Sequence, residues 1–423
     1  MLGMSLEGAH ASVISGLPYG ESSPWNGASS PSAYYYNGRT YVTWQGADLD
    51  PYVAYYTSAT RNWTGLVRAG DNPLIGDNHG APAILVDNSG YIHIMYGSHG
   101  TAQKYAKSTN PEDISAWTAM PDPLGAIPAT YPHLLKDSSG YLHLIYKSGI
   151  SGSVSYSPHE DIITSTNGGA TWSAPQQLIN PYDTSLMESI YLLGGGVEYE
   201  SATNRIHLAW VRYNGAPPPY TNARLNVYYA YLNLNENNMY AVDGTNLGST
   251  IDQTEADAYC KVVDSGGHQT NQASVNVDST GKPYIIYENG DSVTGVFYYY
   301  FTRWTGSAWT TPVSIIDASG DGGAAFFVHS SQDIEAYLAV WPHSDIERWS
   351  WNGTTWAKVS AVLVGPWVSR YPYYLQFPTP VVNGVDLKIV FCETNGGPDE
   401  YTLSNLRIFA YDDASQFIVK RRS

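Results

Sequence analysis

Cysteine is almost missing from this sequence. There are two among 423 residues, Cys260 and Cys392, too few for a disulfide-built scaffold. Charged residues are scarce as well, at 14%, which disfavours charge-rich disorder and coiled coil. Positive charge is the rarer sign: 21 Lys+Arg stand against 38 Asp+Glu, a net charge of −17. Such a chain suits neither nucleic acid, whose binding rests on phosphate neutralisation, nor an anionic membrane surface. No apolar run approaches the roughly 18 residues that a membrane-spanning helix needs. Residues Met1 to Gly8 show neither a basic start nor a long apolar stretch, so no signal peptide is read there.

Tyrosine and glycine are abundant, 36 and 40 residues, beside 25 prolines. Strands favour Tyr and turns favour Gly, which points to an all-β chain. The length fits two or three average domains or one large all-β domain. A recurring unit decides for the second. It reads NGRTYVTW from Asn37, SGYIHIMY from Ser89, SGYLHLIY from Ser139, TNRIHLAW from Thr203 and TGKPYIIY from Thr280. QDIEAYLAVW from Gln332 and VDLKIVF from Val385 continue it, with steps of 52, 50, 64, 77, 52 and 53 residues. Each unit holds several runs that alternate apolar and polar, the period of strands. Seven units of about four strands describe a single-domain, seven-bladed β-propeller. Blade cores are expected near 30–70, 77–120, 128–178, 190–235, 270–315, 322–360 and 376–420. Insertions fall at 214–225 and 240–268, and residues 9–17 are a candidate for a ring-closing strand. STNGGATW from Ser165 matches the Asp-box turn S-x-D-x-G-x-T-W with Asn167 in place of Asp.

The repeat separates packing from chemistry. An aromatic recurs at one position as Trp44, Tyr96, Tyr146, Trp210 and Tyr287, which reads as packing between blades. His93, His143 and His207 share one strand position and read as structural. His79 and His99 break the pattern. They flank one strand–turn–strand hairpin twenty residues apart, so both fall at one end of one blade, where two histidines form a candidate acid/base pair. Tyr146 ends a strand of the next blade, and its hydroxyl is expected at the same mouth. Arg212 ends the equivalent strand of the fourth unit as an unusual cation. Cys260 and His268, spaced C-x7-H, leave three readings with Cys392: a structural zinc, two unrelated buried thiols, or a disulfide. Calcium held by backbone and Asp oxygens has no supporting spacing.

GDNHGAPAILVDNSGYIHIMYGSHG followed by TYPHLLKDSSGYLHLIYKSG resembles the BNR-repeat propellers that include ulvan lyases and enzymes acting on L-rhamnosyl-α-1,4-glucuronate linkages. The resemblance implies β-elimination at a rhamnose–uronate linkage. It implies catalytic roles for His79, His99 and Tyr146, and substrate binding by Arg212, Lys147 and Tyr131. The family strand end often carries Arg where this chain has Lys147. It further implies an acidic polysaccharide as partner, an extracellular place of work and no cofactor in catalysis. Two other classes stay open at this point. One is a sialidase- or rhamnosidase-type glycoside hydrolase, with Arg212, Arg303, Arg348 and Arg370 as the available arginines; the other is a non-catalytic carbohydrate-binding propeller.

Overall fold

The repeated turn closes hairpins for local reasons. Asn37 and Gly38 both have positive φ, 46° and 81°, the backbone of a type I′ turn whose twist matches the flanking strands. In the second unit, Oδ1 of Asp87 accepts the backbone N–H groups of Ser89 and Tyr91 (2.8 and 2.9 Å), and Oδ2 lies 3.1 Å from Nε2 of His93. Asp137 repeats this in the third unit with Ser139, Tyr141 and His143, at 2.9, 2.9 and 3.2 Å. Glu200 holds His207 at 3.3 Å in the fourth. In the fifth, Asp278 accepts the Tyr284 hydroxyl at 3.2 Å instead. The three repeated histidines are thus structural: each is buried and ties its strand to the acid that shapes the turn.

The computed structural model describes residues 29–46, 49–74, 77–149, 158–181, 189–213, 224–291, 296–318, 324–340, 345–363, 379–385, 387–393 and 407–411. The candidate closing strand at 9–17, most of the first insertion (214–223) and Arg370 lie outside them. The described chain is all-β. Ala33–Tyr36, Arg39–Gln45, Pro51–Thr57 and Asn62–Arg68 form one antiparallel meander. Ala83–Val86, Ile92–Tyr96, Lys104–Ser108 and Trp117–Ala119 form the next. Pro128–Lys136, Leu142–Ser148, His159–Ser165 and Gln176–Asn180 form a third, which gains His99–Ala102 at one edge and Ile251–Asp252, in parallel, at the other. Around Arg205–Tyr213 and Arg224–Asn233 a fourth sheet collects Ser189–Tyr191, Val197–Glu200, Asn238–Tyr240, Asn246–Gly248 and Lys261–Val263. Gln269–Val277, Pro283–Asp291, Val296–Arg303 and Val313–Ala318 make a further meander. It meets Ala324–Ser330, Asp333–Val340, Asp345–Trp351 and Trp356–Leu363 through the single pair Ala318–Val340. Thr379–Pro380, Ile389–Glu393 and Arg407–Tyr411 form the last sheet. The second insertion contains a short helical segment, Gln253–Glu255 running into Ala256–Cys260. No helix among the described residues is long and apolar enough to cross a membrane.

Side chains fill the space between sheets. Trp44, Tyr96, Tyr146, Trp210 and Tyr287 are all buried, and Val53, Ile94 and Leu144, from three sheets, share one apolar cluster. The Asp-box turn is built with asparagine. Oδ1 of Asn167 accepts the Thr171 N–H at 2.9 Å, and Ser165 Oγ accepts that of Gly169 at 2.9 Å. The turn reaches the neighbouring sheet through Lys107, whose ammonium donates to the Gly168 carbonyl at 2.9 Å.

Two strands are interrupted near their starts. Pairing of Pro128–Lys136 with Leu142–Ser148 shifts register between Thr130 and His133. Pairing of Gln269–Val277 with Pro283–Asp291 shifts between Thr270 and Ala273. Bulges of this kind re-aim side chains. The first puts Tyr131 at φ 54°, a left-handed backbone that a bulky residue holds only at a cost of about 1–2 kcal/mol.

Candidate active site

Asp77 organises the first part of the site. It caps the short turn Asn78–Gly80, where its Oδ1 accepts the His79 backbone N–H at 3.0 Å. The same Oδ1 lies 2.6 Å from His79 Nδ1, and Oδ2 lies 2.6 Å from His99 Nδ1. The two imidazoles stack with centroids 4.0 Å apart and planes 14° from parallel. Burial pushes the Asp77 carboxyl up, but the N–H groups of His79 and His99 outweigh it and hold the group well below the usual carboxylate range. His99 reaches this place on His99–Ala102, which leaves its own hairpin to pair with Pro128–Lys136 of the next sheet.

A line of aromatic rings continues from there. The Tyr131 centroid lies 6.2 Å from that of His79 and 6.3 Å from that of Tyr191. Tyr191 meets Tyr213 edge-on at 5.3 Å. Two cations flank the Tyr191 ring: the Lys147 ammonium at 4.3 Å from its centroid and the Arg224 guanidinium at 4.7 Å. Arg224 also donates to Asn271 Oδ1 at 3.2 Å, and Asn271 donates to Glu288 Oε2 at 3.3 Å. Glu160, the cross-strand partner of Lys147, is buried. Burial raises the Glu160 carboxyl above its ordinary range, against the lowering effect of Lys147. Burial likewise lowers the Lys147 ammonium, opposed by Tyr191 and Glu160. Tyr131 is driven well above the ordinary phenol range by burial, with Tyr191 adding to it, so its hydroxyl stays protonated and available as a donor.

The structure brings together His79, His99, Tyr131 and Lys147 of the residues singled out from sequence. Tyr146 and Arg212 take other places, and the reason is strand parity, because neighbours along a strand face opposite sides of the sheet. Tyr146 points away from Lys147 into an apolar cluster, where its hydroxyl donates to Asp161 Oδ2 at 3.3 Å. Burial, and Asp161 after it, push that phenol well up. The reading of Tyr146 as a proton-transfer group is therefore revised to packing, as its repeat position implies. Arg212 pairs with Leu225, whereas Tyr213 pairs with Arg224. Arg212 accordingly turns toward Asp257, at 3.8 Å, on the other face.

Sequence reasoning missed Asp77, Tyr191 and Arg224. Asp77 stood in the quoted GDNHG. Tyr191 and Arg224 border the stretches least like the repeat, so only their strand neighbours could have signalled them. A sialidase-like arginine cluster finds no support among the described residues. Arg348 pairs with Glu335 at 2.5 Å, and Arg303 donates to the Ser331 carbonyl at 3.3 Å.

Of the three residues in the zinc reading, Cys260 and His268 lie among those described. Cys260 is buried in an apolar cluster with Ile251 and Leu247, and burial pushes its thiol up to about 12. His268 is exposed. The side chain of Cys392 lies outside the described residues. Among the described residues, Asp77, His79 and His99 are the group with ligand atoms close enough to share an ion, within 4.8 Å of one another. Parallel stacking sets the two ring lone pairs side by side instead of converging, and both Nδ1 atoms face the carboxylate. That arrangement suits proton transfer better than chelation, and its nitrogens do not suit calcium.

The chain is similar to several known proteins. An ulvan lyase of Alteromonas sp. (strain LOR) is 28% identical over 377 residues, covering 79% of this chain and 75% of its own. The Ulvan Lyase-PL25 of Pseudoalteromonas sp. (strain PLSV) is 27% identical over 364 residues, covering 74% and 72%. The solved structure of a polysaccharide lyase PL25 ulvan lyase bound to -[GlcA(1-4)Rha3S]- has a TM-score of 0.79 at 21% identity, covering 93% of this chain and 95% of that one. At that identity the likeness establishes a shared fold. Residues 39–314, well over half of the chain, match the profile described as "BNR repeat-containing family member", and the chain accordingly belongs to the BNR repeat-containing family.

Proposed function

We propose that this protein is a polysaccharide lyase that cleaves a rhamnose–uronate linkage by β-elimination, with ulvan as the substrate class. The single observation that carries this reading is the pair of stacked histidines beside a buried tyrosine and two cations that share one ring. Lys147 and Arg224 neutralise the uronate carboxylate, which makes the C5 proton easier to remove and stabilises the enolate-like charge. A histidine Nε2 takes the C5 proton. The C5–H electrons form the C4=C5 double bond, the C4–O4 bond breaks, and Tyr131 donates its proton to the departing oxygen. The products are a 4,5-unsaturated uronate and a free rhamnose-side hydroxyl, and no water is consumed. Every proton in this scheme moves through a side chain.

The relatives named as ulvan lyases support the substrate class. Seven successive groups of antiparallel strands support the finer architecture we adopt, a single seven-bladed propeller over residues 1–423. Polymers of this kind lie outside cells, and we place the enzyme there. Internal cleavage of sulfated ulvan and exo-acting cleavage of a terminal rhamnosyl-glucuronate linkage are the two alternatives for its mode of action. Incubation with ulvan and with a gum-type arabinogalactan, followed by ultraviolet absorbance and product mass, tests the proposal. Absorbing oligomers from ulvan support it, and the size of the absorbing product separates internal from terminal cleavage. A saturated product would show a hydrolase, and no product from either polymer would leave a binding protein.

A further inference from the structure

We propose that Asp77 is the positioning residue of this site, one carboxylate that takes a ring N–H from each of two stacked histidines and thereby sets both tautomers. This rests on the proton-transfer reading of His79 and His99.

The geometry carries the assignment. An ionised carboxylate only accepts hydrogen bonds. With Oδ1 at 2.6 Å from His79 Nδ1 and Oδ2 at 2.6 Å from His99 Nδ1, both Nδ1 atoms must bear the proton. In the neutral rings both lone pairs then sit on Nε2, on the side away from Asp77. Two bases are presented side by side, on rings whose centroids are 4.0 Å apart, by a single acid. Each ring gains an orienting partner, the arrangement by which a buried carboxylate commonly fixes a catalytic imidazole.

Asp77 also caps the turn Asn78–Gly80, so a purely structural role is the alternative. Asparagine separates the two. It caps a helix N-terminus about as well as aspartate, and its carbonyl still accepts the His79 backbone N–H. Its amide, however, donates. Facing an imidazole Nδ1, that amide requires a lone pair there and drives the proton of that ring to Nε2.

The test is Asp77→Asn, examined with histidine 15N-labelled protein by long-range 1H–15N spectra. His79→Gln and His99→Gln variants identify the two rings. The wild type is expected to show a protonated Nδ1 and a lone-pair Nε2 in both rings. In Asp77→Asn one ring inverts, kcat falls by ~100-fold, the loss typical of a misdirected acid/base group, KM stays within a few-fold, and Tm is nearly unchanged. Either ring found with its proton on Nε2 in the wild type would overturn the assignment. So would wild-type kcat in Asp77→Asn while His79→Ala and His99→Ala are inactive. Full activity of both alanine variants would instead remove the proton-transfer reading itself.

Discussion

The histidines proposed for proton transfer are ones that leave the repeat. His93 and His143 are each tied to a turn aspartate, whereas His79 and His99 stack on each other beside the Asp77 carboxylate. Replacing either His79 or His99 with alanine, or Tyr131 with phenylalanine, is expected to lower turnover by about 10²- to 10⁴-fold, measured by ultraviolet absorbance of the unsaturated uronate. Tyr146→Phe should change it little, because that hydroxyl serves Asp161 inside the core. Lys147→Met and Arg224→Met should each reduce kcat/KM by roughly 10- to 100-fold, the worth of one charge-assisted hydrogen bond. Arg212→Met should fall well short of that, since Arg212 faces Asp257. Equal losses at positions 212 and 224 would argue against the assignment by strand face.

At the level of elements, the hairpin turns and the strand junctions hold the site in place. Asp87→Ala leaves two turn N–H groups and His93 without their acceptor. The expected cost is about 1–3 kcal/mol, seen as a Tm lower by several degrees with turnover per folded molecule unchanged. His133 joins strands from different parts of the chain: Ser30 Oγ lies 2.8 Å from its Nδ1, and its Nε2 lies 3.1 Å from the Leu192 carbonyl. Burial lowers its pKa to about 4, against the raising effect of that carbonyl. An unfolded histidine titrates near 6.5, so as pH falls the unfolded chain takes up the proton first. The stabilisation is complete above about pH 6.5 and is lost progressively toward pH 4. It amounts to about 3 kcal/mol at most. Tm measured across that range should fall in the wild type, and His133→Gln should flatten the slope.

Over the whole molecule, charge sets a contradiction that the site resolves locally. A protein at −17 repels a sulfated polyanion at long range, while in the proposed function Lys147 and Arg224, both against the Tyr191 ring, attract its carboxylate at contact. The Debye length shrinks from about 30 Å at 0.01 M salt to about 8 Å at 0.15 M. Screening in that interval removes the distant repulsion more than the buried contacts. The kcat/KM on ulvan should therefore rise a few-fold over it, and a steady fall instead would mean that the positive groups already dominate at a distance.

Local rules were enough for the all-β class. Turn chemistry at Asn37-Gly38, Asp87 and Asp137, alternation along the strands and the Asn167 turn are all short-range, and a repeat displays them many times over. The same repetition exposed His79 and His99, because a residue that departs from seven near-copies stands out. Tertiary structure decided the rest. The bulge at Tyr131, the transfer of His99–Ala102 onto the next sheet and the shared carboxylate of Asp77 join residues whose partners lie in other units. Which of Tyr146 or Lys147, and which of Arg212 or Tyr213, faces the site depends on strand parity set by long-range pairing. A one-residue shift reverses every side chain, and the short runs of sequence at those strand ends do not fix it.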